Sequence, residues 1–279
     1  MSCVRDARSE FFNGGYVIME TLDTVNIPIR KDETHKGDYG KILLIGGSAN
    51  MGGAIMLAAR ACVYSGSGLI TVATHPNNHA ALHSRCPEAM VIDINDTKML
   101  TKMIEATDSI LIGPGLGVDF KGNNAITFLL QNIQPHQNLI VDGDAIIIFS
   151  KLKPQIPTCR VIFTPHQKEW ERLSGIPIEE QTYERNREAV NNLGATVVLK
   201  QHGTEIYFKD DAYKLSIGTP AMATGGMGDT LAGMITSFVG QFDSLKDAVT
   251  SATYTHSYIG EKLSESMYCL LYTSDAADE

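Results

Sequence analysis

No Cys-x-x-Cys pair occurs in the chain; its five cysteines, Cys3, Cys62, Cys86, Cys159 and Cys269, are scattered. That spacing excludes a zinc ribbon or a disulfide framework, and the thiols read as reduced and mostly buried, as in a cytoplasmic protein. Positive charge is also short. Lys and Arg number 23 against 32 Asp and Glu, a net charge of −9, so the basic surface expected of a nucleic-acid binder is missing. No apolar run approaches the roughly 20 residues of a membrane span, and no apolar core follows the N-terminal charges as in a secretory signal. There is no linker and no internal repeat. What remains is a 279-residue chain, 43% hydrophobic, with ample core for one large α/β domain or two small ones.

Short apolar runs alternate with helical patterns along the chain. Lys41–Ile45, Leu69–Ala73, Met90–Ile92, Ser109–Ile112, Asn138–Val141, Val161–Phe163 and Ala195–Lys200 read as strands. Their continuous apolar character suits a sheet buried on both faces. Helical stretches are read from Ala54 to about Ser65, Lys98 to Glu105, Ala125 to Gln131 and Leu245 to Leu263, and a hairpin turns at Asp210-Asp211. Strand–helix alternation with right-handed crossovers predicts a three-layer α/β/α fold with a mostly parallel central sheet. One domain is expected over residues 24–268.

Glycine-rich or polar clusters follow several strands: residues 46–53, 113–117, 142–144, 164–169 and 200–204. In a parallel sheet they share one edge, where open α/β sheets bind ligands. The loop at 46–53 is neither a dinucleotide Gly-x-Gly-x-x-Gly turn nor a Gly-Lys-Ser/Thr phosphate loop. Each cluster alone is also compatible with a tight turn or a helix cap.

The most informative stretch is Thr224-Gly225-Gly226-Met227-Gly228-Asp229-Thr230-Leu231-Ala232-Gly233. Leu231, Met234, Ile235, Phe238 and Val239 recur at helical spacing, so a glycine turn feeds a helix. Backbone N–H groups of Gly225, Gly226, Met227 and Gly228 then converge at a positive helix end and form an anion hole suited to phosphate. Asp229 either caps that helix or serves as a base that takes a proton from an attacking hydroxyl. The helix dipole is expected to keep it ionised at neutral pH.

These residues resemble a known family. Gly225-Gly226-Met227-Gly228-Asp229 is similar to the Gly-x-Gly-Asp signature of the ribokinase-like superfamily. Lys36-Gly37-x-x-Gly40, Gly113-Pro114-Gly115-Leu116-Gly117, Thr164-Pro165-His166-x-x-Glu169 and Leu199-Lys200-x-x-Gly203-Thr204 match, in order, its ADP- or ATP-dependent NAD(P)H-hydrate dehydratase branch. The resemblance spans about residues 30–265. It implies dehydration of the S-epimer of hydrated NADH or NADPH at the expense of ADP (or ATP), through a phosphorylated ring hydroxyl, giving NAD(P)H, AMP and phosphate.

Carried over position by position, the resemblance implies Asp229 as the catalytic base. Ala54, Gly117, His166 and Asp229 would contact the hydrated dinucleotide; Lys200, Gln201, His202, Gly203, Thr204 and Gly228 would contact the adenine nucleotide. Glu169 would orient Mg²⁺ through water. His166 otherwise reads as a helix cap, Glu169 as an acid in a first helical turn, and Lys200 as a solvated strand-end lysine. A homotetramer in the cytoplasm is implied. The alternatives are a kinase of the same superfamily acting on a thiazole or hydroxymethylpyrimidine, and a nucleotide sensor without turnover.

Both ends depart from this pattern. Asn13-Gly14-Gly15 before Met19 resembles a ribosome-binding sequence read in frame, so residues 1–18 are expected to be a non-native or disordered extension. Residues 269–279 back-translate to a sequencing-transposon end and read as an artefactual tail that replaces the native C-terminus.

Overall fold

The computed structural model describes residues 19–267, so the expectations for 1–18 and 269–279 lie outside the described residues. Among the described residues ten strands form one sheet: β1 (Glu20–Leu22), β2 (Lys41–Ile45), β3 (Leu69–Thr74), β4 (Met90–Asp93), β5 (Ser109–Ile112), β6 (Asn138–Val141), β7 (Arg160–Phe163), β8 (Thr196–Leu199), β9 (Glu205–Tyr207) and β10 (Ala212–Leu215). Their spatial order is β1-β10-β9-β8-β7-β6-β5-β2-β3-β4. Strands β2 to β8 are mutually parallel, and the expected hairpin adds β9 and β10 antiparallel at one side. β1 pairs parallel with β10, with Glu20 opposite Tyr213.

The helices are α1 (Gly52–Tyr64), α2 (His79–Arg85), α3 (Thr97–Ala106), α4 (Phe120–Asn132), α5 (Asp144–Leu152), α6 (Gln167–Ser174), α7 (Tyr183–Leu193), α8 (Met227–Val239) and α9 (Leu245–Ser264). Successive strand residues point to opposite faces. Ile42 and Leu44 therefore join Ile55, Leu82, Ile235 and Val249 in one core, beneath α1, α2, α8 and α9. Leu43 and Ile45 join Leu100, Ile126, Phe149, Trp170 and Val190 in the other, beneath α3 to α7. This is the three-layer arrangement expected from the alternating pattern. Among the described residues no helix is long and apolar enough to cross a membrane.

Three elements depart from the sequence expectation in ways that bear on the site. Helix α4 starts at Phe120, five residues early, because Asp119 caps it: its Oδ1 accepts from Lys121 N at 3.0 Å and Gly122 N at 3.1 Å. Helix α5 gave no helical signal, since Ala145-Ile146-Ile147-Ile148-Phe149 is an unbroken apolar run rich in β-branched residues. The short α2 is likewise unmarked in the sequence.

The sheet reverses its winding at β2. From there the chain runs through α1 to β3 and β4 on one side, then returns to β5 on the other. A crevice at the C-terminal ends of β2 and β5 follows from that reversal.

Helix α8 is seated against α1 by a close backbone approach. A Cβ at Gly233 would clash with the carbonyl oxygen of Ala58 and lie 2.9 Å from Ala61 Cβ. Across the same seam Cys62 Sγ donates to Gly233 O at 3.2 Å. Gly233→Val should therefore force the helices apart and lower unfolding free energy by about 1–3 kcal/mol or more. Urea denaturation reads this as a lower midpoint at constant slope; an unchanged midpoint would show that the seam is loose.

Candidate active site

The N-terminus of α8 lies open. Gly226 turns the chain into the helix from a left-handed conformation, φ 91°, and a Cβ there would strike Leu57 Cδ1. Among the described residues no side chain caps the helix. Its leading N–H groups therefore retain their donor capacity, and the helix dipole adds positive potential at the same place. Asp229 stands in the first turn without capping it.

A second positive group faces the same glycines. The Lys200 ammonium lies 3.1 Å from where a Gly228 Cβ would be. Two strand ends place it there: Lys200 N donates to Pro165 O at 2.8 Å, and His166 and Lys200 form an isolated parallel bridge just beyond β7 and β8. Lys200 Nζ donates to Asp142 Oδ1 at 2.8 Å, and Thr164 Oγ1 donates to the same oxygen at 2.7 Å. Asp142 is buried. Burial opposes the lysine's charge, but Asp142, Glu169 and Asp229 around it raise its pKa above the ordinary value. Lys200 is thus a partly buried, paired cation and not a solvated strand-end lysine.

Asp229 is mainly ionised at pH 7, as expected, yet its pKa lies above the ordinary carboxylate value. Burial first, then the nearby charges of Asp142 and Asp144, push its pKa up to about 6, with Lys200 opposing. Desolvation and like charge both disfavour the ionised form. The carboxylate predominates at pH 7, yet it holds a proton far more readily than a surface aspartate, as a general base near neutrality requires.

His166 and Glu169 realise their capping readings together. His166 Nδ1 accepts from Lys168 N at 3.1 Å and Glu169 N at 3.3 Å, while Glu169 Oε2 accepts from His166 N at 2.8 Å. The cap leaves Nδ1 unprotonated and places the imidazole proton on Nε2. Burial, then Lys200 and Arg172, lower the His166 pKa, so the ring is neutral at pH 7. Burial raises the pKa of Glu169, which is almost wholly enclosed.

Across the crevice, the loops after β2 and β5 interlock. Gly47 N donates to Pro114 O at 2.9 Å and Ser48 N to Gly115 O at 2.6 Å. A Cβ at Gly115 would lie 3.2 Å from Ala54 Cβ, so Ala54 sits against the 113–117 loop. Gly117 N donates to Asp144 Oδ2 at 2.8 Å, so that N–H is already engaged. Gln201, His202, Gly203 and Thr204 form the loop between β8 and β9, held by Leu215 N to Thr204 O at 3.0 Å.

The sequence-predicted residues thus gather on one sheet edge in two sets. Lys200, His166, Glu169, Gly228 and Asp229 cluster over β6 to β8. Ala54 and Gly117 lie with the loops over β2 and β5. Asp144 links the sets: it accepts from Gly117 and its charge acts on Asp229. The Asp142-Gly143-Asp144 turn was visible in the sequence as acids at a strand end, but its partners were not. His256 on α9 was missed altogether. It is buried, interacts with the Met227 backbone, and has an Nε2 without a hydrogen-bond partner; burial lowers its pKa to about 4. Nothing in Tyr254-Thr255-His256-Ser257 marks it in advance.

Comparison with known proteins gives the geometry a family. A family model described as NAD(P)H-hydrate dehydratase matches residues 42–279. The chain is 87% identical over 255 residues to an ADP-dependent (S)-NAD(P)H-hydrate dehydratase of Staphylococcus aureus, covering 91% of this chain and 92% of that protein. A crystal structure of a ribokinase-like superfamily protein from Enterococcus faecalis superposes with a TM-score of 0.86 at 44% identity, over 88% of this chain and 86% of that one. The Bacillus subtilis ADP/ATP-dependent NAD(P)H-hydrate dehydratase, co-crystallized with ATP/Mg²⁺, gives 0.77 at 32% identity over 86% of each chain. With an uncapped helix end, a paired lysine and an aspartate of raised pKa on the expected sheet edge, the chain belongs to the NAD(P)H-hydrate dehydratase family of the ribokinase-like fold.

Proposed function

We propose that this chain dehydrates the S-epimer of hydrated NADH and NADPH, with ADP as phosphoryl donor. The observation that carries the chemistry is the placement of Asp229, with a pKa near 6, beside an uncapped helix N-terminus that Lys200 also faces. Asp229 takes the proton of the ring hydroxyl, and the freed oxygen attacks the terminal phosphorus of ADP. The P–O bond to AMP breaks and AMP leaves. Charge that develops on the transferring group meets the N–H groups of residues 225–228 and the Lys200 ammonium, both fixed in advance. The ring then loses a proton from the neighbouring carbon as the C–O bond breaks, and phosphate departs with the electrons of that bond. A poor leaving group, hydroxide, has been replaced by a good one.

His166, neutral with its proton on Nε2, can donate to the substrate without adding charge. Lys200 and the Gln201–Thr204 loop would hold the adenine nucleotide; Ala54, Gly117 and His166 would hold the hydrated dinucleotide. Mg²⁺ fits only as a companion of the nucleotide. Among the described residues no group of three His, Cys, Asp or Glu side chains is arranged to hold a metal, and one Glu169 oxygen is engaged by His166 N. Glu169 would therefore reach the ion through water, and the ion's role is to neutralise phosphate charge. Cytoplasmic placement accords with the unpaired buried thiols of Cys62, Cys86 and Cys159. A homotetramer accords with the exposed Ile27, Ile29, Tyr64 and Ile259 that border a groove of 960 Å³ between α1, α8 and α9.

Incubation with hydrated NADH, Mg²⁺ and ADP should restore absorbance at the reduced-nicotinamide band. A stable phosphorylated vitamin precursor without that recovery would make the protein a kinase; bound nucleotide without any turnover would make it a sensor.

Asp229→Asn should abolish turnover while ADP binding, read by calorimetry, persists. The same variant should be more stable than wild type at pH 8. A carboxyl whose pKa rises from 3.8 unfolded to about 6 folded stabilises the native state below pH 4, and that stabilisation is lost as pH rises through 6. The gain in Tm should thus shrink toward pH 4; an equal Tm at pH 8 would contradict the crowded, desolvated carboxylate.

The acid limb of kcat/KM should fall near pH 6, and Asp142→Asn should move it lower by removing one of the charges that raise Asp229. An unmoved limb would exclude Asp229 as the titrating base.

A further inference from the structure

Dehydration removes two protons from the substrate, and only the first has an acceptor so far. Asp229 takes the proton of the hydroxyl. When phosphate departs, the neighbouring ring carbon loses a second proton, and Asp229 is then already protonated.

The groups gathered at the site narrow the choice of a second acceptor. His166 Nδ1 accepts from Lys168 N and Glu169 N, so Nε2 bears the proton and the ring has no free lone pair. Asp142 is only 2% exposed, and its Oδ1 accepts from both Lys200 Nζ and Thr164 Oγ1. Glu169 is 6% exposed, and its Oε2 accepts from His166 N. Asp144 differs from these acids. It is half-buried, its Oδ2 accepts from Gly117 N at 2.8 Å, and among the described residues no hydrogen bond engages its Oδ1.

Close backbone packing fixes where Asp144 stands. It is the first residue of α5, and Gly143 before it turns the chain with φ 52°. A Cβ at Gly113 would clash with Asp142 O and lie 2.8 Å from Ala145 Cβ, so the turn after β6 is seated tightly on the loop after β5. The bond from Gly117 N then restrains the Asp144 carboxylate itself. Two residues earlier, Asp142 holds Lys200, whose ammonium faces Gly228 immediately before Asp229. Asp144 therefore stands beside the Lys200–Asp229 group, and its charge is felt at Asp229.

We propose that Asp144 is the second base of the reaction and takes the carbon-bound proton on Oδ1. The proposal rests on the dehydratase reading above and assigns a residue to its second half. In hydrated NADH the hydroxyl-bearing carbon adjoins the ring nitrogen. The nitrogen lone pair assists as the C–O bond breaks, and phosphate leaves with the electrons of that bond. The neighbouring C–H bond is thereby acidified, so a carboxylate is base enough. The electron pair of that bond becomes the new ring double bond, the nitrogen regains its lone pair, and the proton passes to Asp144. Two carboxylates thus divide the two protons, and Asp229 need not release its own before the ring is restored.

The test separates the two halves of the reaction. Asp144→Asn keeps an oxygen for Gly117 N–H and removes the base. Enzyme in excess is mixed with hydrated NADH, Mg²⁺ and ADP, and quenched samples are resolved by chromatography and mass spectrometry. In the variant AMP should form at close to the wild-type rate. NADH should appear about 10²-fold more slowly or worse, the scale of a lost general base, and phosphorylated hydrate should accumulate in between. Deuterium on the carbon that gives up the proton should slow NADH formation in the variant and leave AMP formation unchanged. NADH at the wild-type rate would overturn the assignment. AMP and NADH slowed together, with no phosphorylated hydrate, would also overturn it and leave Asp144 as a support of the 113–117 loop. A wild-type protein that forms neither AMP nor NADH from hydrated NADH and ADP would instead remove the dehydratase reading itself.

Discussion

The ion pair between Lys200 and Asp142 holds the candidate site together. Its two members come from the ends of β8 and β6, and Thr164 from β7 donates to the same carboxylate oxygen, so three neighbouring strands converge on one atom. Removing one partner of such a buried pair leaves an uncompensated charge. The pair also fixes what surrounds it. It aims an ammonium at Gly228, adds to burial a cation that lowers the pKa of His166, and puts opposing charges on Asp229. A site that must hold several phosphate oxygens needs positive potential, and a site that needs a general base needs a carboxylate that is not too stable as an anion. Desolvation with one lysine among three or four acids provides both.

The backbone provides the rest. A helix end without a capping side chain has N–H donors in excess, and the close seam between α1 and α8 keeps those donors immobile relative to the sheet. Preorganised dipoles of this kind stabilise transition-state charge without reorganisation when the reaction occurs. The sheet's winding reversal then divides one edge into two adjoining regions. The uncapped helix end and the Lys200–Asp142 pair lie over β6 to β8, and a mainly apolar recess lies over β2 to β5. Asp229, Gly117 and Asp144 mark the boundary.

Much of this was legible in the sequence because chemistry at a sheet edge demands unusual residues there. Gly113-Pro114-Gly115-Leu116-Gly117 and Gly225-Gly226-Met227-Gly228-Asp229 stand out since ordinary turns need fewer glycines. Their positions after apolar runs fix which edge they occupy. What stayed hidden depends on tertiary neighbours. The helix dipole at Asp229 is a local property that sequence displays, whereas the burial that raises its pKa is tertiary and the acids that add to it come from the turn between β6 and α5. The pairing of Lys200 with Asp142 spans 58 residues. His256 approaches Met227 only because α9 folds over α8, and its own neighbours in the chain carry no signal. Helix α5 was concealed for another reason: an apolar β-branched run reads alike as buried helix or buried strand.

The central claim is that phosphorylation converts the ring hydroxyl into a leaving group, so that the C–O bond breaks only after the oxygen has bonded to phosphorus. Hydrated NADH carrying ¹⁸O in its ring hydroxyl tests this most directly, with the products of turnover on ADP resolved by mass spectrometry. The label should appear in inorganic phosphate and not in water. Recovery of the label in water, with unlabelled phosphate, would contradict it.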